Sequence, residues 1–154
     1  MAVRWPNAAV LVFDLKSFTS CCAEADCNCV AEYLQRLFMA LDDAVESFGV
    51  ERIDIVGDAY IAVAHDGDDA CKRAARFALC ALEITKRLPF SADSGPMDVR
   101  VALHVGPVDA IVLDAAPGKY HLIGPTFNET TSLERSGRAG HIHCSPEALA
   151  MLLA

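Results

Sequence analysis

The order of apolar runs and amphipathic segments predicts an α+β domain, a ferredoxin-like βαββαβ sandwich with helices packed on a mainly antiparallel sheet. Three observations carry this expectation. A nearly continuous apolar run lies near the start of the chain, two long segments show helical periodicity, and between them residues 51–64, ERIDIVGDAYIAVA, read as two short strands joined at Gly57-Asp58. The helices are free to pack on one face of the sheet. At 154 residues and 53% hydrophobic content, the chain fits a single domain, 1–154, that buries roughly 70% of its unfolded surface.

Each element follows from its local pattern. Residues 8–15 are apolar almost throughout, as a central strand covered on both faces requires. Past 16–28, apolar residues recur at Val30, Leu34, Leu37, Leu41, Val45 and Phe48, which predicts an amphipathic helix ending near Gly49. The hairpin follows, its Gly-Asp pair flanked by β-branched and aromatic residues. HDGDD at 65–69 reads as a loop and cap for a second helix with Ala70, Ala74, Phe77, Ala81, Ile84 and Leu88 on its apolar face and Pro89 at its end. Lys72, Arg73, Arg76, Lys86 and Arg87 read as that helix's solvated side. After a loop at 90–97, alternating Val99, Val101, Leu103 and Val105 predict a strand. Gly106-Pro107 is read as a turn into a run at 108–113, and a turn at 114–118 leads to a short strand at 120–123, together a β-meander. Thr126 or Asn128 caps a short helix through Arg135, which Ser136-Gly137 ends; 141–144 is a brief strand, and Ser145-Pro146 starts the last helix.

Composition excludes several classes of function. With 21 acidic and 13 basic residues, the net charge of −8 opposes the tracking of nucleic-acid phosphates. No run reaches about 18 uninterrupted apolar residues, and no secretion signal is visible, so the expectation is a cytoplasmic domain without membrane contact. Met1 stands a few residues ahead of the first strand, which suits a compact protein or a domain of a longer one. Seven cysteines, an odd number, disfavour a disulfide framework. Cys21, Cys22, Cys27 and Cys29 lack the paired C-x2-C spacing of structural zinc sites and read as semi-buried thiols at the start of a helix. His104, His121, His141 and His143 show no His-metal pattern.

Two carboxylates carry the functional signal. The hairpin lifts Asp58 to an exposed tip, and Asp14 is embedded in the apolar run AVLVFDLKSFTS. Carboxylates on strand ends can share a cation. Singly, each reads as well as a turn residue or a cap.

The motifs around them are more specific together. FDLKSFTS around Asp14 resembles the first metal motif of class III adenylyl and guanylyl cyclase catalytic domains, and IDIVGDAYIAV around Asp58 resembles their second. VRVALHVGPV, KYHLIGPTFN and LERSGRAGHIHCS follow in that family's order, so that the resemblance covers about 8–149. It implies attack of a ribose 3′-hydroxyl on the α-phosphorus of a nucleoside triphosphate, with two Mg²⁺ or Mn²⁺ ions as cofactors. By the same resemblance, Asp14, Asp58 and the Leu15 carbonyl are metal ligands, and the loop through Phe18 and Thr19 cradles the triphosphate.

The resemblance also implies a site built across a homodimer, or a heterodimer with a cyclase-like protomer. There the second protomer supplies an Asn, matched by Asn128, and four residues later an Arg, where this chain has Ser132. Arg135 lies one helical turn further along. A phosphate-contacting Lys comes, in the family, from a strand hairpin beyond the region matched by Ala154, and two family glycines stand here as Ile111 and Asp114. These departures imply a nearly inactive homodimer and a chain matching the metal-bearing half of heterodimeric relatives. The base-reading positions are Asp54 and His121; an acidic group accepts from guanine N1–H and N2–H, which tilts the expectation to guanine. The alternative is a degenerate cyclase-homology module that binds nucleotide or a protein partner and regulates.

Overall fold

The computed structural model describes residues 1–16, 18–113 and 120–154. Ser17, Asp114, Lys119 and the turn expected at 114–118 lie outside them. Strand β1 (Ala2–Leu15) is central, pairing antiparallel with β3 (Ala59–Ala64) on one side and β6 (Val99–Val112) on the other. Its unbroken apolar run follows from that position, because neither face meets water. It starts at Ala2 rather than residue 8. The added half is mostly exposed, and a register shift between Trp5 and Ala8 carries the ladder past Pro6.

The same bulge removes the turn expected at Gly106-Pro107. Strand β6 runs straight through these residues, because Pro107 falls opposite the bulged Pro6 and Asn7, where a missing N–H breaks no regular ladder bond. Gly106 has a different use. A Cβ there would lie 2.6 Å from Thr126 Oγ1, so the glycine lets a helix sit against the strand. The expected three-run meander is therefore one long strand paired with β7 (Tyr120–Ile123).

The remaining elements keep their expected order. α2 (Cys27–Val45) is the expected first helix, begun slightly earlier at Asp26, whose side chain caps it by accepting from Asn28 N at 2.9 Å, and α1 (Phe18–Glu24) is an additional helix ahead of it. A short 3₁₀ turn then ends at Gly49, and β2 (Glu51–Val56) pairs with β3 across Gly57-Asp58, with Gly57 at φ 60°. α3 (Ala70–Arg87) leads to a small hairpin, β4 (Pro89–Ser91) and β5 (Gly95–Pro96), inside the expected loop. α4 (Pro125–Arg135), β8 (Ile142–Cys144) and α5 (Pro146–Leu153) complete the chain, with Ser145 capping α5. The cap of α4 is Gly124 with Pro125 in its first turn, so Thr126 and Asn128 stand inside the helix instead of capping it.

The sheet order is β2-β3-β1-β6-β7, all antiparallel, with β8 parallel to β6. One face of β1 packs Leu11 and Phe13 against Leu37 and Leu41 of α2, Phe77 and Ala81 of α3 and Ala148 of α5. Each buried leucine or phenylalanine among them contributes about 1.5–3 kcal/mol on burial. The other face packs Val10, Val12, Ile61, Val63 and Val108, and here α4 departs from the one-face arrangement, adding Phe127 to this second core. β2 and β7, the ends of the sheet order, approach one another, so the sheet curls. Arg73 leaves the solvated side expected for it: its guanidinium joins the Gly49 and Asp66 carbonyls and the Asp69 carboxylate, tying the start of α3 to the end of the α2 segment.

Candidate functional site: a carboxylate pair beside a two-faced helix

The last residues of β1 and the β2–β3 turn end side by side, because Asp14 of β1 pairs with Ala59, the residue after Asp58. The two carboxyl groups are close enough for each to raise the energy of the other's charge. Asp58 is half-buried, not at the exposed tip expected of a hairpin turn, since the turn leans on Asp14. Burial pushes Asp14 above the ordinary carboxylate range, and the negative Glu134 adds to the effect. Burial likewise raises Asp58, followed by repulsion from Asp14. Asp14 Oδ1 is buried without a hydrogen-bond partner. An orphaned carboxylate oxygen beside a second carboxylate is an incomplete charge arrangement, and a hard divalent cation suits it.

Two residues missed by sequence reasoning complete the surroundings. Arg100 stands directly across the β1–β6 ladder from Asp14, its Nη2 3.9 Å from Asp14 Oδ2. Its Nε lies 3.0 Å from Glu134 Oε1, and its Nη1 donates to the Arg135 carbonyl at 3.2 Å. The Nε and Oε1 atoms are close but not aligned as a hydrogen bond, so the contact is an ion pair. Glu134 is only 4% exposed, and its charge is tolerable there because Arg100 faces it. Arg100 was legible only through the strand register that sets it opposite Asp14. Glu134 gave no signal, because the buried stripe of α4, Thr126, Thr130 and Glu134, is polar throughout. Thr130 Oγ1 satisfies itself by donating to the Thr126 carbonyl at 2.7 Å.

The outer face of α4 is a different surface. Asn128, Ser132 and Arg135 are exposed and follow i, i+4, i+7 spacing, so they share one stripe turned away from the Glu134 side. Asn128 thus does not join the carboxylates of its own chain. Phe18 and Thr19 open α1 just past Asp14; Phe18 is half-buried against the larger core, and Thr19 is exposed. Leu15 is buried at the end of β1. Asp54, half-buried on β2, accepts a hydrogen bond from Ile55 N at 2.8 Å, while His121 is exposed on β7. Those two strands approach one another across the curl of the sheet. Ile111 continues regular β6 pairing opposite Ala2 and His121. Cys21 and Cys22 are half-buried on α1, and Cys27 and Cys29 are exposed on the first turn of α2; all seven cysteines are free. Among the described residues, no three His, Cys, Asp or Glu side chains converge as a metal cage.

Residues 2–153 match the family described as the adenylate and guanylate cyclase catalytic domain. The chain belongs to this family. It is 30% identical over 153 residues, 97% of its own length, to a membrane guanylyl cyclase of Dictyostelium discoideum, and it spans only 10% of that relative. Among solved structures, a non-canonical dimeric guanylyl cyclase domain of the RhoGC fusion protein from Blastocladiella emersonii superposes with a TM-score of 0.89 at 28% identity, covering 98% of this chain and 85% of that one. The guanylate cyclase domain of RhGC from Catenaria anguillulae, in complex with GTP, gives a TM-score of 0.88 at 29% identity, covering 97% of this chain and 84% of that one. The antiparallel sheet and the helices described above are thus those of a class III cyclase domain. No helix among the described residues is long and apolar enough to cross a membrane.

Proposed function

We propose that this cyclase domain converts a nucleoside triphosphate, with guanine favoured, to its 3′,5′-cyclic nucleotide and pyrophosphate. The observation that carries the reading is the Asp14–Asp58 pair, two adjacent carboxylates of which one keeps a buried, unpartnered oxygen. In the reaction, the 3′-hydroxyl oxygen bonds to the α-phosphorus as the bond to the bridging oxygen breaks. The electron pair leaves with pyrophosphate, and the hydroxyl proton passes to solvent. Two Mg²⁺ or Mn²⁺ ions held by Asp14, Asp58 and the Leu15 carbonyl would lower the charge on the attacking and leaving oxygens.

The chain's own residues do the positioning. Arg100, anchored by Glu134 and the Arg135 carbonyl, offsets part of the negative charge around Asp14 and keeps that carboxylate at the end of β1. The first-turn amides of α1, at Phe18 and Thr19, lack intrahelical acceptors and suit the triphosphate oxygens. Asp54 and His121 sit on strands that approach one another, which supports their contacting the base; the acidic Asp54 accepts from the guanine edge. The outward stripe of α4 presents Asn128 to the site of a second cyclase protomer.

That outward stripe is where this domain departs from its family. Loss of one donor to the transition state costs about 10²- to 10³-fold, and loss of an arginine meeting phosphoryl charge about 10³- to 10⁵-fold. With Ser132 at the arginine position, a pair of these chains turns over slowly, and a protomer bearing Asn, Arg and Lys completes the site. Ser132 also favours a second reading, a regulatory module that binds nucleotide or partner without chemistry. Titration with GTP, ATP, UTP and CTP, each with and without Mn²⁺, tests the nucleotide half. Metal-dependent binding of GTP ahead of the others, lost in Asp58→Ala, is the expected result. Binding indifferent to metal and to Asp58 contradicts it.

A further inference from the structure

We propose that Arg135 takes over the transition-state charge neutralisation that Ser132 cannot supply, acting from the outer face of α4 on the α-phosphate held by the partner chain. The inference rests on the cyclase reading above and names the residue that gives a pair of these chains its residual rate.

Helix geometry carries the argument. At 100° per residue, position 135 returns to within about 20° of position 128 around the axis, and position 132 lies about 40° to the other side. Asn128, Ser132 and Arg135 therefore form one exposed stripe, which the opposite, buried stripe of Thr126, Thr130 and Glu134 holds outward. The Arg135 Cα lies about 4.5 Å beyond that of Ser132 along the helix. Side chains on a helix slant toward its N-terminus, so a residue covers the surface over the turn preceding its own Cα. A long guanidinium arm at 135 thus reaches back over 132, where serine leaves the space open.

The surroundings leave the arm available. Arg135 is exposed, and among the described residues its guanidinium has no hydrogen-bond or ion-pair partner. Its backbone is the opposite: the carbonyl accepts from Arg100 Nη1 at 3.2 Å, and the helix ends at the next residue, Ser136. The anchored backbone fixes where the arm starts. The arrangement also makes a clean variant available, since Arg135→Ala removes the guanidinium and keeps the carbonyl. Arg138, exposed and just past the helix, is off the stripe and serves as a control.

The test uses complementation between two versions of the 154-residue chain. Asp58→Ala destroys the metal half of a chain and leaves its outer α4 face intact; Asn128→Ala does the reverse. Mixing the two rebuilds one complete site per pair, whose Mn²⁺-dependent cyclisation of GTP is measured. Adding Arg135→Ala to the Asp58→Ala chain is expected to lower the rate about 10²- to 10³-fold. Added to the Asn128→Ala chain, the same change leaves the rate as it was, and Arg138→Ala leaves it unchanged in either chain. Ser132→Arg, placed beside Arg135→Ala, restores turnover. A merely structural role for Arg135 predicts equal losses in both chains, and that result overturns the proposal. So does turnover that appears only with Ser132→Arg and ignores Arg135, which keeps the cyclase reading and discards this one. If no combination, Ser132→Arg included, makes cyclic nucleotide, the cyclase reading falls and takes the proposal with it.

Discussion

The two faces of α4 have opposite surroundings, one buried against the sheet and one exposed. Its inner face ends in Glu134, which is buried against Arg100 and contributes to the electrostatics of Asp14. Its outer face carries Asn128, Ser132 and Arg135, exposed on a single helix. The inner side is over-determined: strand register, a tight hairpin and a buried ion pair all fix the carboxylates. The outer side rests on one helix alone, and in the proposed function it is completed by a second protomer. A domain with this asymmetry can lose a residue from its outer stripe at little cost to its fold, whereas a loss from the inner side disturbs both fold and site.

The largest effect is expected at the carboxylates of the inner side. Asp14→Ala or Asp58→Ala in a competent pair should lower cyclisation by about 10³-fold or more, corresponding to the several kcal/mol that metal-assisted charge stabilisation supplies. Steady-state assays at saturating Mn²⁺ and GTP check this. A loss under tenfold would place the chemistry elsewhere.

The ion pair joining α4 to the inner side comes next. Glu134→Gln leaves Arg100 facing Asp14 without its buried counter-charge, and urea denaturation should show about 2–4 kcal/mol of lost stability, below the full value for a buried pair because Arg100 is partly exposed. Ser132→Ala, on the outer stripe, should cost less than about 0.5 kcal/mol. Equal costs for the two would erase the distinction between the faces.

Gly106→Ala probes the contact that seats the helix. Its Cβ would meet Thr126 Oγ1 at 2.6 Å, so α4 must shift, at about 1–3 kcal/mol for overpacking. Combining it with Thr126→Ser or Thr126→Ala in thermal unfolding separates hydroxyl clash from backbone effect: only the alanine should relieve it.

The smallest effect concerns pH. Asp14 and Asp58 have raised folded-state pKa values, so the folded metal-free chain binds more protons than the unfolded one between the ordinary carboxylate range and those raised values. Its stability is therefore fully present below the ordinary range and falls as pH rises through the raised values. Asp58→Asn should flatten this dependence and, at neutral pH without metal, raise Tm by about 2–4 °C, the shift for about 1 kcal/mol in a domain of this size. An unchanged pH profile would show that the pair does not repel.

The sequence made the inner side legible where periodicity and turn chemistry speak directly. The β1 run, the α2 and α3 faces and the Gly57-Asp58 turn follow from apolar spacing and a positive-φ glycine. What it hid depends on long-range register. Gly106-Pro107 reads as a turn because those residues make turns, yet its use is to let α4 approach a bulged strand. Arg73 reads as solvated because its apolar neighbours fill the other face of α3, while its acceptors come from the loop just before that helix and from Gly49 at the distant end of the α2 segment. Glu134 is a buried charge inside a polar stripe, and only the pairing of Asp14 with Arg100 shows what neutralises it.

The most direct test mixes this chain with a cyclase protomer that keeps the Asn, Arg and Lys but lacks both metal aspartates, and measures cyclic nucleotide made from GTP with Mn²⁺. Turnover well above that of either chain alone, abolished by Asp58→Ala in this chain, is the expected result. Tight association of the two without turnover, or turnover indifferent to Asp58, would contradict it.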